Sequence, residues 1–326
     1  HTGVGGFTLG GGFGRLNRKY GLTIDNLIEA DVVLADGRFV TASESENEDL
    51  FWALCGGGGN FGIVTSFVFR AHPVTTVYAG PVFWGMEDAR QVMQWYREFL
   101  PKAPEELCPF FGLKTVPSTE PFPKDLWGRK VCALISCYSG PLDQAEEVVK
   151  PIRTELPQPL LDWMGPMPFP ALQSLFDAIL PKGLQWYWKG DFVNELSDEA
   201  IDVHLDYAAK CTNPMSIMHL YPIDGAVHRV SPTATAWNTR DATWSMVIAG
   251  IDPHPDKAGA VKDWARTYWD AIHPHNLGGA YVNFMMDEGE GRIRATYGEN
   301  HARLAAIKKK YDPDNFFRVN QNIEPA

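Results

Sequence analysis

The sequence predicts an α+β fold, and three observations carry that prediction. Strand-like and helix-like stretches alternate along the chain without an internal repeat. Asp36-Gly37 separates two β-forming runs, the pattern of a hairpin. Apolar runs such as "KVCALISCY" and "TWSMVIAGID" have the composition of buried strands. At 326 residues the chain has room for two structural units.

The elements follow in order. Val32, Val33 and Leu34 form one arm of the hairpin, with Phe39 and Val40 on the other. "SENEDLFWAL" predicts a short helix capped by Asn47, with Leu50, Phe51 and Leu54 on its apolar side. A β-branched and aromatic strand, "GIVTSFVFR", then runs toward Pro73. Val92, Met93, Trp95, Tyr96 and Leu100 recur at helical spacing. "PLDQAEEVVKPIRTEL" predicts a helix interrupted near Pro151. The proline cluster in "ELPQPLLDWMGPMPFPALQ" predicts a surface excursion. "GLQWYWKGDFVNEL" reads as a strand placing Trp186 and Trp188 on one face and Tyr187 and Lys189 on the other. Ser197 caps the next helix. "SIMHLYPIDGAVHRV" and "TWSMVIAGID" read as strands, and "KAGAVKDWARTYWDAIHP" as a helix. Near the end, a strand-like "YVNFM" leads through an acidic loop to a helix at 300–311, which stops at Asp312-Pro313.

Composition narrows the function classes. A net charge of −11 argues against nucleic acid, since phosphate binding wants a basic face. No run approaches the roughly 18 apolar residues of a membrane span. The expectation is a soluble protein, cytoplasmic or secreted. Five cysteines without paired spacing read as buried thiols rather than metal ligands. His273 and His275 flank a proline and suit a loop better than a metal site, and His1 chelates copper only if the natural chain starts there. No metal site is expected.

Glycine carries the motifs. Gly57, Gly59 and Gly62 spell G-x-G-x-x-G, but a helix precedes them and a strand follows, the reverse of a dinucleotide fingerprint. No Gly-Lys-Ser/Thr supports a P-loop. Seven of the first fourteen residues are glycine. Gly5, Gly6, Gly10, Gly11, Gly12 and Gly14 either form a tight structural turn or let the backbone press against a flat ligand.

Three motifs, "GVGGFTLGGGFGRLNRKYGLTIDNLIEADVVLADGR", "DLFWALCGGGGNFGIVTSF" and "YVNFMMDEG" with "RLAAIKKKYDPDNFFRVNQNI", together resemble the berberine-bridge-enzyme-like flavoprotein oxidases of the vanillyl-alcohol-oxidase type fold. The resemblance spans the chain in order, dense at 1–73 and 277–325 and looser between. It implies that 1–73 is the carboxy-terminal part of an FAD-binding domain. Residues 74–276 would form a substrate domain, an antiparallel sheet backed by helices, and 277–326 a segment returning to the FAD domain. The opening glycines would lie along the flavin, and Asn60 and Ile63 near its nucleotide half. Relatives carry a further half-domain before the first motif, with the pyrophosphate loop and the covalently attached histidine. A second attachment cysteine would precede His1. The resemblance therefore implies a truncated form with no visible covalent attachment residue, its first cysteine being Cys55.

It also implies chemistry: hydride transfer from a carbon bearing an alcohol or sugar hydroxyl to FAD, with oxygen as acceptor. The base would be Tyr281, helped by Asn283 on the same strand face; the pair also suits an ordinary core. A tyrosine near pKa 10 needs a nearby charge or hydrogen-bond donors to act as a base. Gln321 matches a position facing the flavin domain. Arg229 stands on a strand where some relatives place an acid, which argues against a carboxylate base there. The alternative is a flavin-free remnant that binds a ligand or has acquired hydrolytic or metal chemistry. No G-x-S-x-G elbow or H-E-x-x-H supports a specific hydrolase.

Overall fold

The computed structural model describes residues 3–318 and 321–326; His1 lies outside them. From the amino terminus run α1 (Val4–Leu9), α2 (Asn17–Tyr20), β1 (Leu27–Val33), β2 (Phe39–Ser43), α3 (Glu48–Leu54) and β3 (Ile63–Phe69). The middle holds β4 (Thr76–Gly85), α4 (Ala89–Phe99), β5 (Leu107–Thr115), β6 (Lys130–Tyr138), α5 (Ala145–Thr154), β7 (Leu161–Asp162), β8 (Gly165–Pro168) and α6 (Phe169–Gln173). Then come β9 (Gln185–Val193), α7 (Asp198–Lys210), β10 (Ile217–Pro222), β11 (Trp244–Asp252), α8 (Ala258–Ile272), α9 (Glu290–Tyr297) and α10 (Asn300–Tyr311). The fold is α+β.

Two compact units emerge. The first gathers His1–Pro73, Ile223–Ala242 and Gly278–Ala326; the second gathers Val74–Pro222 and Thr243–Leu277. Segment 223–242 interrupts the 74–276 stretch expected to be continuous. Buried ion pairs hold it in the first unit: Arg18 reaches Asp224 at 2.7 and 3.1 Å, and Arg240 clamps both Asp25 oxygens at 2.8 Å.

In the first unit β2, β1 and β3 form an antiparallel sheet in the order β2-β1-β3. The Asp36-Gly37 hairpin joins its first two strands, Gly37 taking φ +84°. Asn47 starts α3 as expected, but its side chain donates to the Thr41 carbonyl instead of capping the helix.

The second unit is built on a sheet in the order β7-β4-β6-β5-β10-β11-β9, with β8 also on β4. One face packs on α4, α5, α7 and α8 through Trp84, Tyr96, Phe111, Leu134, Met246 and Tyr268. The other carries Phe83, Phe110, Val131, Ala133 and Ile135. Strand period places Trp186 and Trp188 together, their rings stacked 5.0 Å apart, while Lys189 turns to the helix side over Trp269.

Four expectations are corrected. Helix α5 runs unbroken through Pro151, because Ala145, Val149 and Ile152 bury its face and the Glu155 amide still bonds the Pro151 carbonyl. The proline-rich excursion contributes two short strands to β4, where prolines are tolerated at a sheet edge. "GAVHRV" is a 3₁₀ turn over Gly225–Arg229 rather than strand, so Arg229 lies on a turn. "YVNFM" likewise forms a 3₁₀ turn over Val282–Phe284, because packing on the amino-terminal segment and not a sheet partner fixes it. Strands β4 and β5 and helix α9 were not anticipated.

Candidate functional site

The opening glycines form helix α1 and the turn that ends it, not an extended loop. The Gly10 amide closes on the Gly6 carbonyl and the Gly11 amide on that of Thr8. Gly11 and Gly12 then take φ of +118° and +73°, which L side chains resist. Space is equally restrictive: a Cβ on Gly10 would meet the Asn283 amide at 2.6 Å, and one on Gly11 the Trp237 ring at 2.3 Å. On Gly12 it would meet Thr23 Oγ1 at 2.6 Å. These three glycines are bare because the chain's own side chains fill the space.

Gly5, Gly6 and Gly14 differ. A Cβ on any of them, or on Gly3, meets nothing within 4 Å. Helix α1 thus presents an open strip of uncovered backbone.

Beside that strip stands Tyr281, buried at 3 % exposure. Its hydroxyl oxygen accepts a 2.6 Å bond from Asn283 Nδ2, which also donates to the Gly6 carbonyl at 3.1 Å. The backbone of Gly12 also draws the Tyr281 pKa down. Burial pushes the Tyr281 phenol well above its ordinary pKa, and the Asn283 bond and the Gly12 backbone pull the other way. Phe13, Trp237 and Phe284 wall the ring at centroid distances of 4.5, 5.3 and 5.0 Å. The structure therefore joins Tyr281, Asn283, Gly6, Gly10 and Gly12 in one constellation.

Other residues singled out in the sequence lie elsewhere in this unit. Asn60 is fully buried; its amide donates to the carbonyls of Gly57 and Gln321 at 2.8 and 3.1 Å, and its Oδ1 accepts from Ile323. Gln321 Nε2 donates to the Met285 carbonyl at 3.1 Å. Both side chains stitch the 56–62 loop and the 280s turn to the carboxy terminus. Ile63 opens β3, exposed, opposite Val33. Cys55 is buried, and burial pushes its thiol up to about 12, so it is a poor nucleophile. Among the described residues no cluster of three His, Cys, Asp or Glu is placed to hold a metal.

Sequence reasoning missed Phe13, Trp237 and Lys308. Phe13 sits inside the glycine motif, and only its neighbours hinted at a role. Trp237 carries no periodic signal in "TATAWNTRD". Lys308 reads as one of three surface lysines, yet it is buried, bonded to Asp312 at 2.5 Å and to the carbonyls of Asn60 and Phe317.

The open strip of α1, edged by the Asn283 amide, is a cradle that any side chain at Gly5 or Gly6 would fill. A flat, hydrogen-bonding ring fits it, so the residues present suit the flavin end of FAD. Fold and site together define an oxidase of the vanillyl-alcohol-oxidase type.

Comparisons agree. The family described as "Berberine and berberine like" matches residues 280–324, and "FAD binding domain" matches 1–43. A Dictyostelium discoideum FAD-linked oxidoreductase is 30% identical over 329 residues, 100% of this chain and 69% of the relative. A xylooligosaccharide oxidase of Thermothelomyces thermophilus is 31% identical over 355 residues, 100% of this chain and 68% of that one. The structure of Physcomitrella patens BBE-like 1 superposes with a TM-score of 0.84 at 25% identity, covering 99% of this chain and 70% of that chain. The chain belongs to the berberine-bridge-enzyme-like family of FAD-linked oxidoreductases.

Proposed function

We propose that this chain serves the oxidation of a hydroxyl-bearing carbon in a small alcohol or carbohydrate, with Tyr281 as the base. The observation that carries the reading is the Tyr281 hydroxyl oxygen, which accepts from Asn283 Nδ2 inside an aromatic box. The sugar assignment is supported by the relative named a xylooligosaccharide oxidase. FAD, when bound, supplies the hydride acceptor and passes the electrons on to oxygen.

The chain's own groups do the rest. The Asn283 amide is aimed where negative charge would sit on Tyr281, so it favours the phenolate that takes the substrate proton. Burial keeps the resting phenol protonated. The base function therefore needs a compensating charge in the loaded site, and proton removal is coupled to hydride departure. Phe13, Trp237 and Phe284 keep water from the hydroxyl. The second Asn283 bond, to the Gly6 carbonyl, fixes its amide against α1, where Gly5 and Gly6 leave room for the ring. Asn60 and Gln321 shape the neighbouring loop through internal bonds, and Ile63 begins the strand that follows it. In this reading the first unit is the FAD-binding domain and the second the substrate domain.

The test is to incubate the chain with FAD, remove free cofactor, and record the visible flavin band before and after anaerobic addition of xylobiose or glucose. The expected result is a retained band that bleaches with sugar. Tyr281→Phe is expected to keep the band and slow bleaching by roughly 10²–10⁴-fold. No retained band overturns the cofactor assignment; undiminished bleaching in the variant removes Tyr281 from the base role.

A further inference from the structure

Strands β5 and β6 run antiparallel, and their register sets Cys108 directly opposite Cys137. Residues opposite each other in such a ladder point to the same sheet face. Here it is the face of Phe110, Ala133 and Ile135. Just outside the pair, the Ser139 amide donates to the Glu106 carbonyl at 2.9 Å. Hydrogen-bonded and open rungs alternate, so Cys108 and Cys137 form a hydrogen-bonded rung with Cα atoms about 5.5 Å apart. A disulfide spans roughly 4.4–6.8 Å between Cα atoms, so the ladder already holds the two residues within bonding reach. The rest of the row is small: Ala79 stands opposite Cys137 on its other side, and Gly165 opposite Ala79. No bulky side chain in that row stops the sulfurs from turning toward each other.

Both residues are thiols, 2 % and 0 % exposed. They nevertheless lie near the ends of their strands, Cys108 second in β5 and Cys137 next to last in β6. Ser139 and Gly140 are half-buried and 141–144 are exposed, so fraying of one or two rungs admits a small oxidant. The other cysteines sit apart from this row. Cys132 faces the helices, Cys211 follows α7, and Cys55 follows α3 in the first unit.

We propose that Cys108 and Cys137 are a reversible dithiol–disulfide pair oxidised by hydrogen peroxide. One sulfur attacks the peroxide, giving a sulfenic acid and one water. The second sulfur displaces that hydroxyl as another water and closes the S–S bond. Two thiols thus give up two electrons and two protons, and peroxide is reduced to two waters. Oxygen that accepts two electrons and two protons becomes hydrogen peroxide, so an oxidase makes this oxidant as it turns over. A pair that closes reversibly spares its thiols the irreversible sulfinic step. The geometry belongs to the second unit alone. Only the source of peroxide rests on the oxidase reading, so the test adds peroxide directly.

The purified, reduced chain is treated with millimolar hydrogen peroxide, quenched with catalase and alkylated with N-ethylmaleimide in denaturant. Proteolysis and mass spectrometry then map the thiols. Alkylatable thiols are expected to fall from five to three per chain, with dithiothreitol restoring all five. The missing two should appear in one cross-linked peptide pair joining Cys108 to Cys137. The reversible loss should vanish in Cys108→Ser and in Cys137→Ser. If either variant fails to fold, the peptide map of the parent decides by itself. Five thiols retained after peroxide, or a loss that dithiothreitol does not reverse, overturns the proposal. So does a link from either residue to another cysteine or to a second chain, or a reversible loss that persists in both variants.

Discussion

Asn283 is a small exposed amide with a large assigned consequence. It is a side-chain donor to Tyr281, and donors to a phenolate lower its pKa. Asn283→Leu removes that donor, so the Tyr281 pKa rises further above its ordinary value. The ascending limb of the pH profile for sugar-dependent flavin reduction should then move to higher pH, with reduction at pH 7 slowed at least tenfold. An unmoved limb would show that the bond is structural only. Gly11 makes a complementary case. Gly11→Ala combines φ +118° with a contact at 2.3 Å to Trp237 and should cost about 2 kcal/mol or more, read as a lowered denaturant midpoint. Lys308 and Asp312, both fully buried, give a pH signature. Burial alone would raise the Asp312 carboxyl, but the Lys308 bond and the amides of Phe317 and Phe316 hold it below the usual range. A depressed carboxyl contributes stability above its unfolded value near 3.9 and loses it as pH falls through the folded one. Asp312→Asn should therefore cost about 3–5 kcal/mol at pH 7, and its gap from the parent should close below about pH 4. Urea titrations across that range check it.

At the scale of elements, the sequence was most readable where a signal is local. Ser197 caps α7 as predicted, its Oγ accepting from the Ala200 amide at 3.1 Å, and Ser197→Ala should cost about 1 kcal/mol with Ser197→Asp near neutral. Thermal midpoints of the two variants decide it. The β1–β2 hairpin and helix α10 were equally plain, since turn chemistry and a terminal Asp-Pro act on immediate neighbours. "YVNFM" misled for the opposite reason: alternating β-formers fit a strand only if a partner strand exists. Here the first unit offers helix α1 instead, and the residues turn to bond Gly6. Segment Ile223–Ala242 has no strong local pattern at all. Its position depends on Asp25, Asp224 and the Trp52 indole bond to the Thr233 carbonyl. Asp25→Asn leaves Arg240 buried without its anion, and new protease cleavage within 225–240 is the expected readout. Unchanged cleavage would show that the segment is held without that pair.

For the whole molecule, a cofactor that binds only the folded chain must raise its melting temperature with concentration. FAD should do so here, and the rise should shrink in Gly6→Val, whose side chain would fill the open strip on α1. An equal rise in that variant would place the flavin elsewhere. The sequence by itself determined the α+β class, most elements with a cap or a turn, the family, and Tyr281 with Asn283 as a pair to watch. Those features are written in neighbours a few residues apart, or in motifs long enough to be specific. Only the tertiary structure decided that three of the opening glycines yield to Trp237, Thr23 and Asn283, that 223–242 joins the first unit, and that Lys308 is buried. Ion pairs such as Arg240–Asp25 join residues 215 positions apart. No local propensity selects such a partner; the choice is made when apolar burial brings distant segments together and leaves each buried charge needing a counter-charge.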